Sequence, residues 1–354
     1  MRSRSKTGKV LTLLALVLAV ALAAGCSPGG REPAKKVTEL KLAHFFPANH
    51  PMETELIQPW TQAVFEATGG QVKVTSYPGQ TLLNADATYE GVVSGIADIG
   101  VSCFSYTRGR FPVLEVFELP GITINNSKAG SMVAWEGIKE LNPAEVQDTQ
   151  LMMVLTTGPG DLFTKVPVRK LEDLRGLEVR ATGLSAKTLQ ALGATPVAMP
   201  QSEAYEALSK GVVKGNLSPI EVLQGWRHAE VTSHLTLTPF LYNTLFFVTM
   251  NKDKWNALSP EIQEAILEVN EKYFAEVAMG LWDMQNEAAL KWAVEEQGLE
   301  VITLPREEVD RWIALVKPIQ EEYVANMNSK GLNGQEILDT VIGLAEKYNQ
   351  EYGN

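Results

Sequence analysis

The chain has 354 residues, 45% hydrophobic and 21% charged, with 28 Gly, 18 Pro and two Cys. That length suits about two domains, and the ordinary globular composition excludes collagen-like, disordered and multi-span membrane readings. A formal charge of −11 argues against nucleic acid, whose phosphates need basic patches, and two cysteines exclude a disulfide scaffold or a four-thiolate zinc site. An acidic ligand stays open, because one buried cation can dominate a closed site.

Residues 1–9 carry four cations and no acid, and Val10–Ala24 is an almost unbroken apolar run. A basic segment followed by 15 apolar residues has signal-peptide proportions and is short for a membrane span of about 20. Leu22-Ala23-Ala24-Gly25-Cys26 then resembles the bacterial lipobox, in which the cysteine is lipidated and becomes the first mature residue. Residues 1–26 are therefore expected to be a lipoprotein signal peptide, Cys26 the anchor, and 27–37 a flexible tether; a short transmembrane anchor is the alternative. Without the leader, 27 cations face 42 acids, a net charge near −15. Cys103 would be left without a partner, a buried and inert thiol.

Alternating strands and helices follow. Strands are expected at Thr38–Ala43, Val72–Tyr77 and Ile99–Cys103, with helices over Met52–Thr68 and Ala85–Ser94. A second unit offers strands at Leu151–Thr156, Leu177–Ala181 and Thr195–Ala198, helices at Ala186–Leu192 and Glu203–Lys210, and a late strand at Thr244–Met250. This order is that of an α/β protein. Pro260 to Gln297 keeps the helical period throughout, with Ser259 as N-cap and Gly298 as stop. At 1.5 Å per residue that is about 57 Å, too long for one lobe of roughly 40 Å. The helix must bend or run along two lobes as a spine, and the spine is the favoured reading.

Chemistry is sparse. His44 and His50, like His228 and His234, are spaced by six, which fits no zinc-ligand pattern, and no metal site is expected. Nucleophile-elbow, phosphate-loop and dinucleotide fingerprints are absent, so no cofactor is implied. One strand stands out: Leu177-Glu178-Val179-Arg180-Ala181-Thr182 places Arg180 opposite Leu177 and Val179, near the carboxyl end. In open α/β sheets that end is where ligands bind, and a guanidinium there suits a carboxylate. A structural ion pair with an acid across the sheet is the alternative.

Residues 171–213 resemble the signature of TRAP-transporter (tripartite ATP-independent periplasmic) substrate-binding proteins of the dicarboxylate-binding family. Asp173 to Arg180, Ala191 to Val197, Pro200 to Leu208 and Gly211 to Val213 carry it, and Gly91–Asp98, Glu118-Leu119-Pro120 and Asn251-Lys252 also fit. The resemblance covers about residues 38–350. It implies a two-domain, periplasmic-binding-protein-like fold (class II-like) with a domain-spanning helix at 260–297. Residues 38–156 plus 240–275 would form the N-terminal lobe, and 157–239 plus 276–354 the C-terminal lobe. It implies an extracytoplasmic receptor that holds a small organic acid and serves TRAP permease membrane subunits, with a monomer the default for a protein that must open and close. Arg180 falls on the family's carboxylate-binding arginine.

Two departures qualify the site. Where many members carry a second arginine, this chain has Asp161, which disfavours a dicarboxylate and favours a ligand with a hydroxyl, an amine or a ring. Where an asparagine often contacts the ligand, this chain has Ser218, with Glu221 close behind. Phe46, Phe104 and Tyr106, at strand carboxyl ends, are expected pocket walls, with core packing the alternative for each. His44 and Asn243 complete the candidates, and the crossings at 156–160 and 238–243 are expected hinges. A different class remains open: an extracytoplasmic enzyme using His44 or His228 as base.

Overall fold

The computed structural model describes residues 37–353, organised on two β-sheets. The first sheet contains β1 (Thr38–His44), β2 (Val72–Tyr77), β3 (Ile99–Cys103), β4 (Thr149–Thr156) and the late β10 (Leu245–Asn251), in the order β2-β1-β3-β10-β4. The second contains β5 (Gly160–Thr164), β6 (Glu178–Ala181), β7 (Thr195–Ala198), β8 (Gly215–Pro219), β9 (His234–Leu237) and β11 (Glu300–Thr303), in the order β11-β9-β5-β8-β6-β7. In each sheet one strand that has crossed from the other half runs antiparallel to its neighbours: β10 in the first and β5 in the second. Helices cover the sheets, which is why β10 is buried along its whole length and reads as a continuous apolar run.

The crossings lie side by side. Thr157 N–H donates to the Thr244 carbonyl at 3.1 Å, Thr244 N–H donates to Thr157 Oγ1 at 3.0 Å, and Gly160 N–H donates to the Tyr242 carbonyl. Glycine suits position 160, because a Cβ there would stand 2.8 Å from the Tyr242 ring and 3.0 Å from that same carbonyl oxygen. Paired strands of this kind can flex together without losing their backbone bonds.

The spine is broken. Helix Pro260–Glu276 ends at Val277, a single turn spans Ala278–Gly280, and helix Leu281–Gln297 continues. The first half packs Ile266, Val269 and Phe274 with Trp60 and Val64 under the first sheet, and the second half packs Ala289 and Ala293 with Phe163, Val222 and Leu235 under the second. The run thus serves both sheets, but as two helices. The apolar period could not reveal this, because Val277 and Leu281 keep the i, i+4 spacing across the break. Ser127 Oγ donates to the freed Met279 carbonyl at 3.0 Å, and the Asp283 carboxylate accepts the N–H groups of Ser127 and Lys128 at 2.7 and 3.0 Å. The break is fastened to the start of helix Ser127–Leu141, where a carboxylate suits the helix N-terminus.

Several elements lay outside the sequence reading: Ser127–Leu141 and the terminal helices Arg306–Val316, Pro318–Ser329 and Gly334–Tyr352. The last packs on Ser127–Leu141, its Val341 and Ala345 sharing a core with Val133 and Ala134. Residues 276–354 therefore do not belong as a block to the second sheet's half. No helix among the described residues is long and apolar enough to cross a membrane, and Cys26 lies outside them.

Candidate functional site

The carboxyl ends of β1, β3, β6 and β8 converge between the sheets, and Arg180 sits at the centre. It lies on β6 in register with Val197 of β7 and Asn216 of β8, so Asn216 stands beside it. The side chain is buried, at 3% exposure. Its Nε donates to the Met199 carbonyl at 2.9 Å, and Nη1 reaches Gln201 Oε1 at 3.1 Å and both Asn216 Oδ1 and Ser218 Oγ at 3.3 Å. Nη2 reaches Tyr106 Oη, from the other sheet, at 3.4 Å. All five partners are neutral. Among the described residues Arg180 makes no ion pair, so the structural-pair alternative lacks its acid. A buried cation without an anion is costly, and a ligand carboxylate would offset that cost.

The neutral partners are themselves held. His228 Nε2 lies 3.0 Å from the Gln201 amide nitrogen, and Nδ1 lies 3.1 Å from that of Asn216. Burial first, and then the charge of Arg180, push the His228 pKa down to about 3. The ring is neutral and buttresses the arginine's acceptors. A proton-transfer role is not what this placement offers.

Aromatic rings form the opposite wall. Phe45 stacks on Phe46 with centroids 4.2 Å apart, and Trp226 stands 6.0 Å from Phe45 and 6.1 Å from Phe46. Phe246, on β10, adds a ring 5.7 Å from Phe46. Hydroxyls close one side: Thr244 Oγ1 donates to Tyr242 Oη at 2.7 Å, and Tyr242 Oη lies 3.2 Å from Thr182 Oγ1. Cys103 also lines the cavity, and burial, then the Glu118 charge, push its thiol well above the ordinary value, in keeping with an inert cysteine. The space left between these walls is ≈ 20 Å³, about one water, and a groove of ≈ 450 Å³ adjoins it at Glu221. An organic acid therefore enters only when the walls separate.

Of the sequence candidates, Arg180, Phe46, Tyr106, Ser218 and Glu221 line this cavity together. Four do not. His44 sits behind Phe46, with Nε2 2.9 Å from Glu53 Oε2 and 3.2 Å from Ser76 Oγ. Phe104 turns into the core against Phe111 and Phe247 and borders a separate cleft of ≈ 470 Å³. Asp161 faces Ser218 across the β5–β8 ladder, but its carboxylate accepts the Thr238 N–H at 2.6 Å, beside the crossing. Asn243 is buried without lining the cavity, while its neighbours Tyr242 and Thr244 do. Strand ends alone could not separate these cases, since a one-residue step turns a side chain to the other face. Gln201, Trp226, Phe45, Phe246, Thr157 and Tyr242 were missed. Gln201 directly follows the Pro200 that opens the signature's third block, and that was the available signal.

Two buried acids carry a pH signature. Burial raises Glu118 to about 8 and Asp161 to about 7, only partly countered by the N–H groups of Leu245 and Thr238. An acid whose folded pKa exceeds its unfolded value holds more protons in the native state. Its destabilisation is absent below the unfolded pKa, near 4.5 for Glu118, and accumulates as pH climbs to 8. Glu118→Gln is therefore expected to melt above the parent at pH 8.5 and level with it near pH 5 in scanning calorimetry. A variant melting lower at both values would mean that Glu118 is held as a needed anion.

Two α/β sheets joined by paired crossings, with a buried cleft between their strand ends, define a two-domain binding protein. The chain belongs to the bacterial extracellular solute-binding proteins, family 7 (DctP), which match residues 42–326. It is similar to a TRAP periplasmic solute-binding protein from Desulfovibrio salexigens solved as an open complex, at 34% identity and TM-score 0.76 over 91% of this chain and 98% of that one. A marine-metagenome TRAP protein specific for aromatic acid ligands, in complex with 3-hydroxybenzoate, shares 30% identity, with TM-score 0.83 over 89% and 99%. A Rhodoferax ferrireducens TRAP protein with copurified benzoate shares 28%, with TM-score 0.82 over 89% and 99%. The protein is thus an extracytoplasmic solute-binding protein of the TRAP type.

Proposed function

We propose that this protein captures an aromatic organic acid between its two lobes, with the carboxylate on Arg180 and the ring among Phe45, Phe46, Trp226 and Phe246, and delivers it to a TRAP permease. The observation that carries the reading is the buried Arg180 guanidinium with five neutral partners and no acid. The aromatic walls give the class, and two similar proteins hold benzoate and 3-hydroxybenzoate. Arg180 is the one arginine or lysine among the described residues lining this cavity, which argues against a C4-dicarboxylate. A binder rather than an enzyme fits the histidines: His228 is locked between two amides, and His44 is bound to Glu53 away from the cavity.

A ligand that binds only the native state stabilises by RT ln(1 + [L]/Kd), about 2.7 kcal/mol at a hundredfold excess over Kd. In a thermal-shift screen aromatic monocarboxylates are expected to raise the melting temperature, and succinate to leave it unchanged. A shift with succinate and none with any aromatic acid would overturn the reading. We also propose that Cys26 carries the lipid anchor and that the receptor is monomeric. Cys26→Ser is expected to move the protein from the membrane to the soluble fraction, or to leave its leader uncleaved. Normal lipidation of Cys26→Ser would refute the anchor. For the lobe limits we propose that Pro318–Ser329 and Gly334–Tyr352 go with the first lobe. Their packing on each other, that of Gly334–Tyr352 on Ser127–Leu141, and the Gln320 and Tyr323 bonds to the Pro120 and Val113 carbonyls support this reading.

A further inference from the structure

The Arg180 cavity contains a second uncompensated charge. We infer that the ligand is a zwitterion, an aromatic amino acid whose carboxylate meets Arg180 and whose ammonium meets Glu221. This rests on the carboxylate reading above and narrows it. Glu221 follows the carboxyl end of β8, is 3% exposed, and lines the same cavity as Arg180. Among the described residues the one donor on its carboxylate is His50 Nε2, at 3.3 Å. His50 Nδ1 accepts the Met52 N–H at 3.1 Å, so the ring proton sits on Nε2 and the ring is neutral. His50 therefore supplies one long hydrogen bond and no positive charge, to a carboxylate with about four acceptor positions.

The pair is seated with little freedom. A Cβ on Gly225 would stand 2.7 Å from Glu221 Oε2 and 3.1 Å from His50 Nε2, and the Glu221 N–H is fixed to Asn286 Oδ1 at 2.8 Å. His50 comes from the first sheet's half and Glu221 from the second, so lobe closure brings Glu221 onto the ligand with His50 behind it. The outer groove touches both residues from the far side, which makes the pair the wall between cavity and exterior.

Charge balance decides among ligand classes. Arg180 and Glu221 sum to zero. A plain monocarboxylate would leave one net negative charge in the closed cavity, a dicarboxylate would leave two, and an amino acid leaves none. A buried net charge is expensive, so the balanced ligand is the one that closes the lobes. The walls agree: Phe46 and Trp226, with centroids 4.8 and 5.8 Å from the His50 ring, put π systems, which attract cations, beside the same pair.

The test is calorimetric titration of the full chain with matched ligands: phenylalanine and tryptophan in both enantiomers, against 3-phenylpropionate, indole-3-propionate and phenyllactate. At least one amino acid is expected to bind about tenfold or more tighter than its deamino and hydroxy counterparts. In Glu221→Gln that advantage is expected to shrink to within about threefold, with deamino binding kept or improved. If a deamino or hydroxy acid matches the amino acids on the parent protein, the zwitterion is overturned and the Arg180 reading survives. Undiminished amino-acid preference in Glu221→Gln overturns it as well. If no aromatic acid of either set binds, the carboxylate reading falls too. The ligand ratio on the parent protein needs no variant to fold.

Discussion

Arg180→Ala is expected to weaken organic-acid binding by roughly 30- to 5,000-fold, the range given by about 2–5 kcal/mol for truncating one partner of a buried charge pair. The loss arises because a carboxylate entering the closed cleft gives up its water and then finds no cation, only neutral groups and the Glu221 carboxylate. The unliganded protein should respond quite differently. There the arginine is a buried cation facing five neutral acceptors, so its removal deletes an unbalanced charge while leaving Gln201, Asn216 and Ser218 short of a donor. These effects oppose one another, and the apo melting temperature is expected to move by no more than a few degrees. A structural ion pair would give the reverse pattern, with stability lost and ligand choice untouched. Arg180→Lys should bind poorly as well, because an ammonium cannot present two parallel N–H bonds to a carboxylate. If calorimetry finds folded Arg180→Ala binding the same acid within threefold of the parent, Arg180 is not the clamp.

What the sequence disclosed followed from local periodicity. β1, β2, β3 and β7 alternate or run apolar over their whole length and were legible to within a residue. Arg180 was singled out by its place near the carboxyl end of a strand, where a structural ion pair stayed open, and the family resemblance made it the carboxylate candidate. β5, β8 and β9 were not legible: GDLFT, GNLSP and HLTL are four- and five-residue strands whose polar groups are consumed by their neighbours across the ladder, as with Asp161 and Thr238. The aromatic wall was half legible. Phe46 follows a strand, but Trp226 and Phe246 reach it from 180 and 200 residues away, a pairing that only the crossover topology creates. His50 and Glu221 belong to the same category, 171 residues apart and joined by closure alone. The spine's break at Val277–Gly280 shows the converse error, since a preserved period concealed an interrupted ladder that bonds from Ser127 to Met279 and Asp283 fasten in place.

That break gives the last expected result: Trp282→Ala should cost about 3–5 kcal/mol of stability, the usual toll for emptying a buried tryptophan site. For a chain of this size it corresponds to a fall of roughly 4–7 °C in melting temperature. Trp282 is fully buried in the first turn after the break, stacked on Phe246 with centroids 4.8 Å apart. Phe246 in turn lines the ligand cavity, so the indole backs the wall that the ligand's ring must meet. Its Nε1–H has no partner among the described residues. An unsatisfied buried donor lowers the value of the indole relative to a purely apolar ring. Trp282→Phe should therefore lose less than half of what Trp282→Ala loses, the smaller ring leaving a modest gap while the unpaired donor disappears. Ligand affinity should follow the same order, because Phe246 without its backing can tilt into the space left behind. Scanning fluorimetry with and without ligand checks both points. Equal losses for Trp282→Phe and Trp282→Ala would show that the indole N–H is engaged after all. A stability loss with unchanged affinity would show that Phe246 holds its place in the wall without help from the spine.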